Sequence, residues 1–405
     1  MRTQVAIIGA GPAGLALGRL LEQAGIDAVI IERRSAEHVL SRIRAGVLEQ
    51  GSAELLTAIG AGARMAAEGI VHDGAAISFD GDPLRIDFAD LIGRRVTVYG
   101  QTEITRDLMD LRQKTGAQSI YEADDVEVLD FDGTAPKVRF TRNGQTHELA
   151  CDFIAGCDGY HGVCRASVPD GAITTFERVY PFGWLGILVD QPPVADELIY
   201  VHHRRGFALC SQRSHSRSRY YLQVGTEEKV ADWSDDRFWD ELRRRLAPET
   251  AESLKTGPSI EKSIAPLRSF VAEPVRFGRL MLAGDAAHIV PPTGAKGLNM
   301  AIHDVGVLAD ALMEHYCDRS KAGLDAYSQR VVANTWRAER FSWWMTQLLH
   351  TFPETDIFGQ RIQRADFDYL AGSRHAQQSL AENYTGLRPQ ATQGQISPRT
   401  KSSAV

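Results

Sequence analysis

Cysteine is scarce in this chain, with five residues in 405: Cys151, Cys157, Cys164, Cys210 and Cys317. The number is odd and no two form a CxxC pair, which argues against a zinc site and a disulfide framework. Buried, reduced thiols are expected instead. An excess of positive charge is also lacking. There are 45 Lys and Arg against 52 Asp and Glu, a formal net charge of -7. A chain that grips polyphosphate non-specifically should be basic, so no nucleic-acid partner is expected. No run of eighteen apolar residues occurs, so no membrane-spanning helix is expected. The N-terminus runs from VAIIGAGPAG into a helix rather than to a cleavage site, so no signal peptide is expected. No internal repeat is visible. The composition that remains, 43% hydrophobic and 24% charged, is that of an ordinary globular protein long enough for two domains.

The first thirty residues carry the clearest pattern. VAIIGA is a β-branched run fit for a buried parallel strand. GPAG turns the chain. LALGRLLEQAG repeats apolar residues at helical spacing and stops at Gly25, and VIIER is a second buried strand ending in an acid. Gly9, Gly11 and Gly14 therefore form G-x-G-x-x-G between a strand and a helix. The first glycine permits the tight turn, the second lets a pyrophosphate approach the helix's positive end, and the third lets helix and strand pack closely. Glu32 can accept hydrogen bonds from a ribose diol. The fingerprint alone does not separate NAD from FAD, and an NAD-dependent dehydrogenase would share it.

Further on, SRIRAGVLEQGSAELLTAIG reads as helical. Residues 69 to 98 read as strands, and TEITRDLMDLRQKTG reads as a helix capped by Thr102 or Thr105. Residues 121 to 150 read as strands with a hairpin at Asn143-Gly144. Residues 176 to 224 read as a β-sheet with hairpins. GRLMLAGDAAHIVPPTGAKGLNMAIHDV reads as strand, loop, then a long helix, and Trp336 to Leu349 as another helix. The tail after Leu387 is polar and expected to be disordered. The segment SQRSHSRSRYY, residues 211 to 221, could be a basic nucleic-acid arm or a strand pair aiming polar groups at a small anion. FALC before it and YLQV after it favour the hairpin.

Two later stretches bear on the cofactor. Asp158-Gly159 follows a strand in CDGYHGVCR, and Gly284-Asp285 ends another in LMLAGDAAHIVPPTGAKGLN. A carboxylate there can meet a ribityl hydroxyl, and the amides of the following helix can hold charge near a reduced flavin ring. A dehydrogenase would need neither stretch.

GAGPAG, CDGYHG and AGDAAHIVPPTGAKGLN resemble the three flavin motifs of the class A FAD-dependent aromatic hydroxylases. RIRAGVLEQG, FERVYPFGWLG, GFALCSQRS, SRYY, KSIAPLRSF, ERFSWWMT and AENYTGL resemble the branch of that family that hydroxylates 4-hydroxybenzoate at position 3, and the match runs from residue 1 to about 388. The resemblance implies an α/β (α+β) fold. A Rossmann-like FAD-binding βαβ domain would occupy 1-70, 97-175 and 267-345, and an interleaved β-sheet substrate domain 71-96 and 176-266. C-terminal helices would fill 346-388, with a tail over 389-405. It also implies FAD as cofactor, NADPH or NADH as reductant, O2, and a small aromatic acid as substrate. The protein would be a cytoplasmic homodimer without a metal, a membrane or a nucleic-acid partner. In the family's chemistry a C4a-hydroperoxyflavin attacks the ring as an electrophile, so the substrate must be a phenolate. A related hydroxylase for another hydroxybenzoate would keep the flavin motifs and alter the pocket.

Carried over residue by residue, Arg213 pairs with the substrate carboxylate, helped by Ser211, Gln212 and Tyr221. Tyr200 holds the substrate hydroxyl, Tyr384 continues a proton relay, and His72 is its solvent end. Pro292 presents its carbonyl to the substrate, with Thr293 and Asn299 near substrate and flavin. Flavin contacts fall on Gly9, Gly11, Ala13, Gly14, Glu32, Arg42, Arg44, Ala45, Gly46, Val47, Gln101, Asp158, Arg219, Gly284, Asp285, Leu298 and Asn299. The nicotinamide coenzyme would meet Arg33, Arg34, His38, Arg44, His161, Arg165 and Arg268. Arg33 and Arg34 suit a 2′-phosphate, whereas His38 stands where well-known members carry tyrosine, so the choice between NADPH and NADH stays open.

Overall fold

A computed structural model describes residues 1–41 and 46–387. The expectations for Arg42, Arg44, Ala45 and the tail beyond residue 387 lie outside these residues. Two large sheets organise the chain. The first has six strands in the order Arg276–Phe277, Leu280–Leu282, Phe153–Gly156, Val5–Ile8, Ala28–Ile31 and Ser119–Ile120. All pairs are parallel except the first. Val5–Ile8 is buried along its whole length, as a central parallel strand requires. Pro12 opens the helix Pro12–Gln23 with Gly11 as its N-cap, and Gly25 at φ +72 follows its end.

The second sheet has eight strands in the order His288–Ile289, Ser259–Glu273, Thr174–Val189, Arg217–Gly225, Ala208–Ser214, Ile199–His202, Gly74–Phe79 and Asp82–Asp87. Its faces differ. Leu185, Ile187, Cys210, Tyr220 and Leu222 pack beneath the helix Asp235–Arg245 with Phe238, Trp239 and Leu242. Trp184, Tyr200 and Leu209 face the other way, into a core shared with Phe341, Met345 and Tyr384. The long helices Gly297–Asp318 and Ala322–Leu349 close the molecule, followed by Ile357–Gly372 and Arg374–Thr385.

Several local expectations need correction. The stretch read as helical from residue 41 contains the strand Val47–Glu49 before the helix Gln50–Ala58. Gly46 is the cause: its amide carbonyl accepts from Tyr99, and a Cβ there would stand 1.8 Å from the Tyr99 carbonyl oxygen, so the chain pairs with Val96–Val98. Among the expected strands of residues 69 to 98 lies the helix Phe88–Ile92, started by the Asp87 carboxylate accepting from the Asp90 amide and ended by Gly93 at φ +68. Neither Thr102 nor Thr105 caps the next helix. It begins at Gln101 with Gly100 as N-cap, and Thr105 donates back to the Gln101 carbonyl. The helix expected from Trp336 starts at Ala322. Four cysteines are buried, but Cys317 is exposed.

Candidate active site

Glycines bring the three motifs together. Gly9 has φ +103, and a Cβ on it would stand 2.4 Å from the Cys157 carbonyl oxygen, so the first motif touches the second. A Cβ on Gly14 would be 2.0 Å from the Gly9 carbonyl oxygen. Gly284, at φ +61, lies against Ala301, with Ala13 just beyond, so the third motif seats on the first. At Gly11 a Cβ would meet nothing within 4 Å. The helix it opens carries no acidic residue in its first turn and no side-chain cap. An open helix N-terminus over a glycine is a phosphate cradle.

Carboxylates ring that cradle. Glu32 accepts from the Ala10 amide at 2.9 Å and from the Arg34 amide at 2.8 Å, which fixes it at the strand end. Asp158 accepts from the Cys164 amide at 2.9 Å through one oxygen, while the other is buried without a protein partner. Burial pushes its pKa up. The Asp285 loop is held from behind: the buried Asp304 carboxylate accepts from the Gly284 amide at 3.0 Å and pairs with His288 at 2.6 Å. Gln101 and Leu298 are half-buried near helix starts, and Val47 is buried. Asn299 spends its side chain on the protein. It accepts from the Glu49 amide and donates to the Val47 and Ala295 carbonyls, tying the helix Gly297–Asp318 to the strand Val47–Glu49.

The segment 211 to 221 is a hairpin, with strands Ala208–Ser214 and Arg217–Gly225 joined at His215 and Ser216. A bulge between Gln212 and Ser214 leaves Arg213 outside the ladder and re-aims it. Its guanidinium reaches Ser211 Oγ at 3.2 Å, the Gln212 carbonyl at 2.8 Å and Tyr221 Oη at 3.2 Å. Nε has no protein partner, and no ion pair to Arg213 occurs among the described residues. Burial pushes its pKa down. This is a cation held in place by dipoles alone. Arg219 differs: it is anchored by Glu261 at 3.1 Å and Ser263 at 3.0 Å, over the Tyr221 ring. Gln212 was expected beside the substrate. Strand alternation instead sends its side chain to the opposite face, where it donates to the Ala195 carbonyl at 2.8 Å.

Tyr200 and Tyr384 share a buried hydrogen bond of 2.7 Å. Burial pushes the Tyr200 pKa up to about 12 and holds that of Tyr384 well above the usual phenol range. His72 was expected at the solvent end of a relay. It is instead fully buried, both ring nitrogens lack protein partners, and burial lowers its pKa. No hydrogen bond joins it to the tyrosines among the described residues. Pro292 is exposed, and the buried Thr293 hydroxyl accepts from Thr346 at 3.0 Å.

The expected nicotinamide contacts fall in two groups. Arg165 stacks on Tyr160 and Phe270, Arg268 on Tyr160, and His161 meets Tyr160 edge-on. Arg33 and Arg34 are exposed on the segment leading into the helix Ala36–Leu40, His38 is exposed within that helix, and none of the three shares a hydrogen bond with that cluster among the described residues. Sequence reasoning missed Tyr160, Glu261 and the pair Lys296–Glu49, which meets at 2.5 Å while Lys296 also donates to the Tyr384 carbonyl. Lys296 stands inside GAKGLN and Glu261 beside KSIAPLRSF, both quoted for the resemblance, but nothing nearby in sequence names their partners.

Among the described residues, no helix is long and apolar enough to cross a membrane. Residues 2–342 match the family described as FAD binding domain. The chain is 59% identical over 388 residues to p-hydroxybenzoate hydroxylase of Acinetobacter baylyi, covering 96% of both chains. It is 27% identical over 321 residues to 3-(3-hydroxy-phenyl)propionate/3-hydroxycinnamic acid hydroxylase 2 of Burkholderia vietnamiensis. That match spans 76% of this chain and 56% of the longer relative. In fold it is similar to p-nitrophenol 4-monooxygenase from Pseudomonas putida DLL-E4, with TM-score 0.80 at 19% identity over 96% of this chain and 100% of that one. A glycine cradle that fits a pyrophosphate, joined to this degree of likeness along nearly the whole length, makes the chain an FAD-binding member of the flavin-dependent aromatic hydroxylase family.

Proposed function

We propose that this enzyme hydroxylates 4-hydroxybenzoate at position 3, giving 3,4-dihydroxybenzoate, with NAD(P)H and O2 as co-substrates. The observation that carries the reading is Arg213: a guanidinium without a carboxylate partner among the described residues, bracketed by Ser211 and Tyr221. On the same face of the sheet stand Tyr200 and, bonded to it, Tyr384. One end suits an aromatic carboxylate and the other a phenolic oxygen. The 59% identity to p-hydroxybenzoate hydroxylase supports the same substrate.

FAD, reduced by NAD(P)H, supplies activated O2 when bound. Gly9, Gly11, Ala13, Gly14, Glu32, Gly46, Asp158, Gly284, Asp285 and Leu298 would hold it. The chain's own residues prepare the substrate. Arg213 binds the carboxylate in bidentate fashion, and Ser211 and Tyr221 add hydrogen bonds. Transfer of an electrophilic oxygen needs an electron-rich ring, so the phenolic proton must leave. Tyr200 keeps its own proton throughout the neutral range and donates to the phenolate oxygen, while its bond to Tyr384 gives the departing proton a path. Pro292 and Thr293 line the substrate side and Asn299 shapes their loop. Arg219 adjoins the flavin. Arg165, Arg268 and His161 receive the nicotinamide coenzyme around Tyr160. In this reading the FAD-binding and substrate parts keep the division given from the sequence, with the strands Thr174–Val189 and Ser259–Glu273 running through its boundaries near 175 and 267. A homodimer in the cytoplasm completes the reading.

Product analysis with 4-hydroxybenzoate and each coenzyme in turn tests it: 3,4-dihydroxybenzoate is the expected product. Arg213→Ala should raise KM about a hundredfold, roughly 3 kcal/mol, and leave FAD bound. An unchanged KM overturns the carboxylate assignment.

A further inference from the structure

A substrate spanning Arg213 and Tyr200 would lie over a row of residues that crosses four strands: Gly186, Tyr221, Leu209 and Tyr200 stand opposite one another in register. Arg213 meets this row at Tyr221. Two residues along each strand, on the same face, comes a second row of Trp184, Gln223, Phe207 and His202. It walls one side of the first. Trp184 stands at the carboxylate end, its ring 5.2 Å from that of Tyr221, whose Oη bonds Arg213.

The end of the helix Ala322–Leu349 covers this second row, and side chains fix it there. His202 Nδ1 donates to the Leu349 carbonyl at 3.2 Å and Gln223 to the Thr351 carbonyl at 2.6 Å, while Gln363 donates to the Gln347, Leu348 and His350 carbonyls. These are acceptors that a helix end leaves without partners of its own. Fully buried His350 stacks on Phe207 at 4.3 Å and on Phe182 at 4.7 Å. Its hydrogen bonds define its chemical form. Nδ1 lies 3.1 Å from the Thr346 carbonyl, which can only accept, and Nε2 lies 2.8 Å from Trp184 Nε1, which can only donate. One form satisfies both, the neutral ring with its proton on Nδ1 and a bare Nε2. We infer, on the carboxylate site proposed above, that His350 is a positioning residue for the substrate: its Nε2 holds Trp184 against Tyr221, and so keeps Tyr221 and Arg213 set for the aromatic carboxylate. Without that acceptor a buried indole N–H is left unpaired, and the ring leaves its place beside Tyr221 to find a partner. One turn back on the same helix face, Thr346 bonds Thr293, so the wall and the loop proposed on the substrate side hang from one element.

Titration of the holoenzyme with 4-hydroxybenzoate, read from the flavin absorbance, tests this role. His350→Leu should raise the dissociation constant about tenfold, the effect of one buried donor left unpaired, with FAD content and the KM for the coenzyme unchanged. His350→Gln, whose Oε1 can accept where Nε2 stands, should recover most of the affinity, which a purely packing role would not produce. Trp184→Phe keeps a ring and removes the donor. It should weaken binding by itself, and adding His350→Leu to it should weaken binding little further. An unchanged constant in His350→Leu or in Trp184→Phe, or a His350→Gln as weak as His350→Leu, overturns the inference and leaves the carboxylate site standing. A wild type that does not bind 4-hydroxybenzoate overturns the proposed function and the inference with it.

Discussion

Tyr200 and Tyr384 are two phenols in a place where neither can ionise alone. In the proposed reaction their value is in sharing a proton with a third oxygen, which the substrate would supply. Tyr200→Phe should therefore bind 4-hydroxybenzoate and oxidise NAD(P)H while releasing hydrogen peroxide in place of most of the product. The check is the ratio of 3,4-dihydroxybenzoate formed to coenzyme consumed, and a ratio near one would remove Tyr200 from the activation step. At this scale much was legible in the sequence. An arginine between a serine and, across a hairpin, a tyrosine already suggests an anion site. The bulge that turns Arg213 toward them was not legible, because it depends on two strands agreeing on register. For the same reason the turn of the Gln212 side chain to the Ala195 carbonyl was not legible. Lys296 and Glu49 are 247 positions apart, and no local pattern links them.

Elements were legible where their signals are local. The βαβ unit, the hairpin and the long helix after GAKGLN declare themselves through period and punctuation. The strand Val47–Glu49 does not, since its pairing with the distant Val96–Val98, with Tyr99 against Gly46, is what makes it a strand. Two glycines of the first turn separate packing from ligand binding. Gly14 has no room for a methyl group, whereas Gly11, at φ -71, has room and suitable backbone geometry. Gly11→Ala should fold with an unchanged melting temperature as apoprotein yet hold FAD at least tenfold more weakly, since a methyl group would enter the space assigned to the pyrophosphate. Flavin titration of the apoprotein decides it. Full affinity in that variant would mean the phosphates lie elsewhere.

For the whole molecule, buried ionisable groups define a pH window. His72 and His350 are buried neutral, the latter with its pKa lowered to about 3. The unfolded chain takes up protons on these residues below about pH 6.5, so stability falls as pH drops through that point. Glu339 works from the other side. It is buried with one oxygen unpartnered, and burial raises its pKa from 4.5 to about 7. The unfolded chain loses this proton first, so stability falls as pH rises from about 4.5 to 7 and then levels. Glu339→Gln should recover at most about 3 kcal/mol at pH 8 and little at pH 4.5. Urea unfolding at the two pH values reads the difference, and equal effects at both would show that ionisation is not the cause.

The strands Thr174–Val189 and Ser259–Glu273 pair along nearly their whole length, with register shifts between Val179 and Gly183 and between Leu188 and Val189. At one end this ribbon carries Glu177 bonded to Arg268, within the proposed coenzyme cluster. At the other, Gly186 faces Arg219, which Glu261 and Ser263 hold. The two ends share a single mechanical beam, and one of its two joints, between Val179 and Gly183, lies between them. A change that twists the beam at the proposed coenzyme cluster is expected to reach the arginine proposed beside the flavin, so that coenzyme preference and the setting of the flavin shift together in this scaffold.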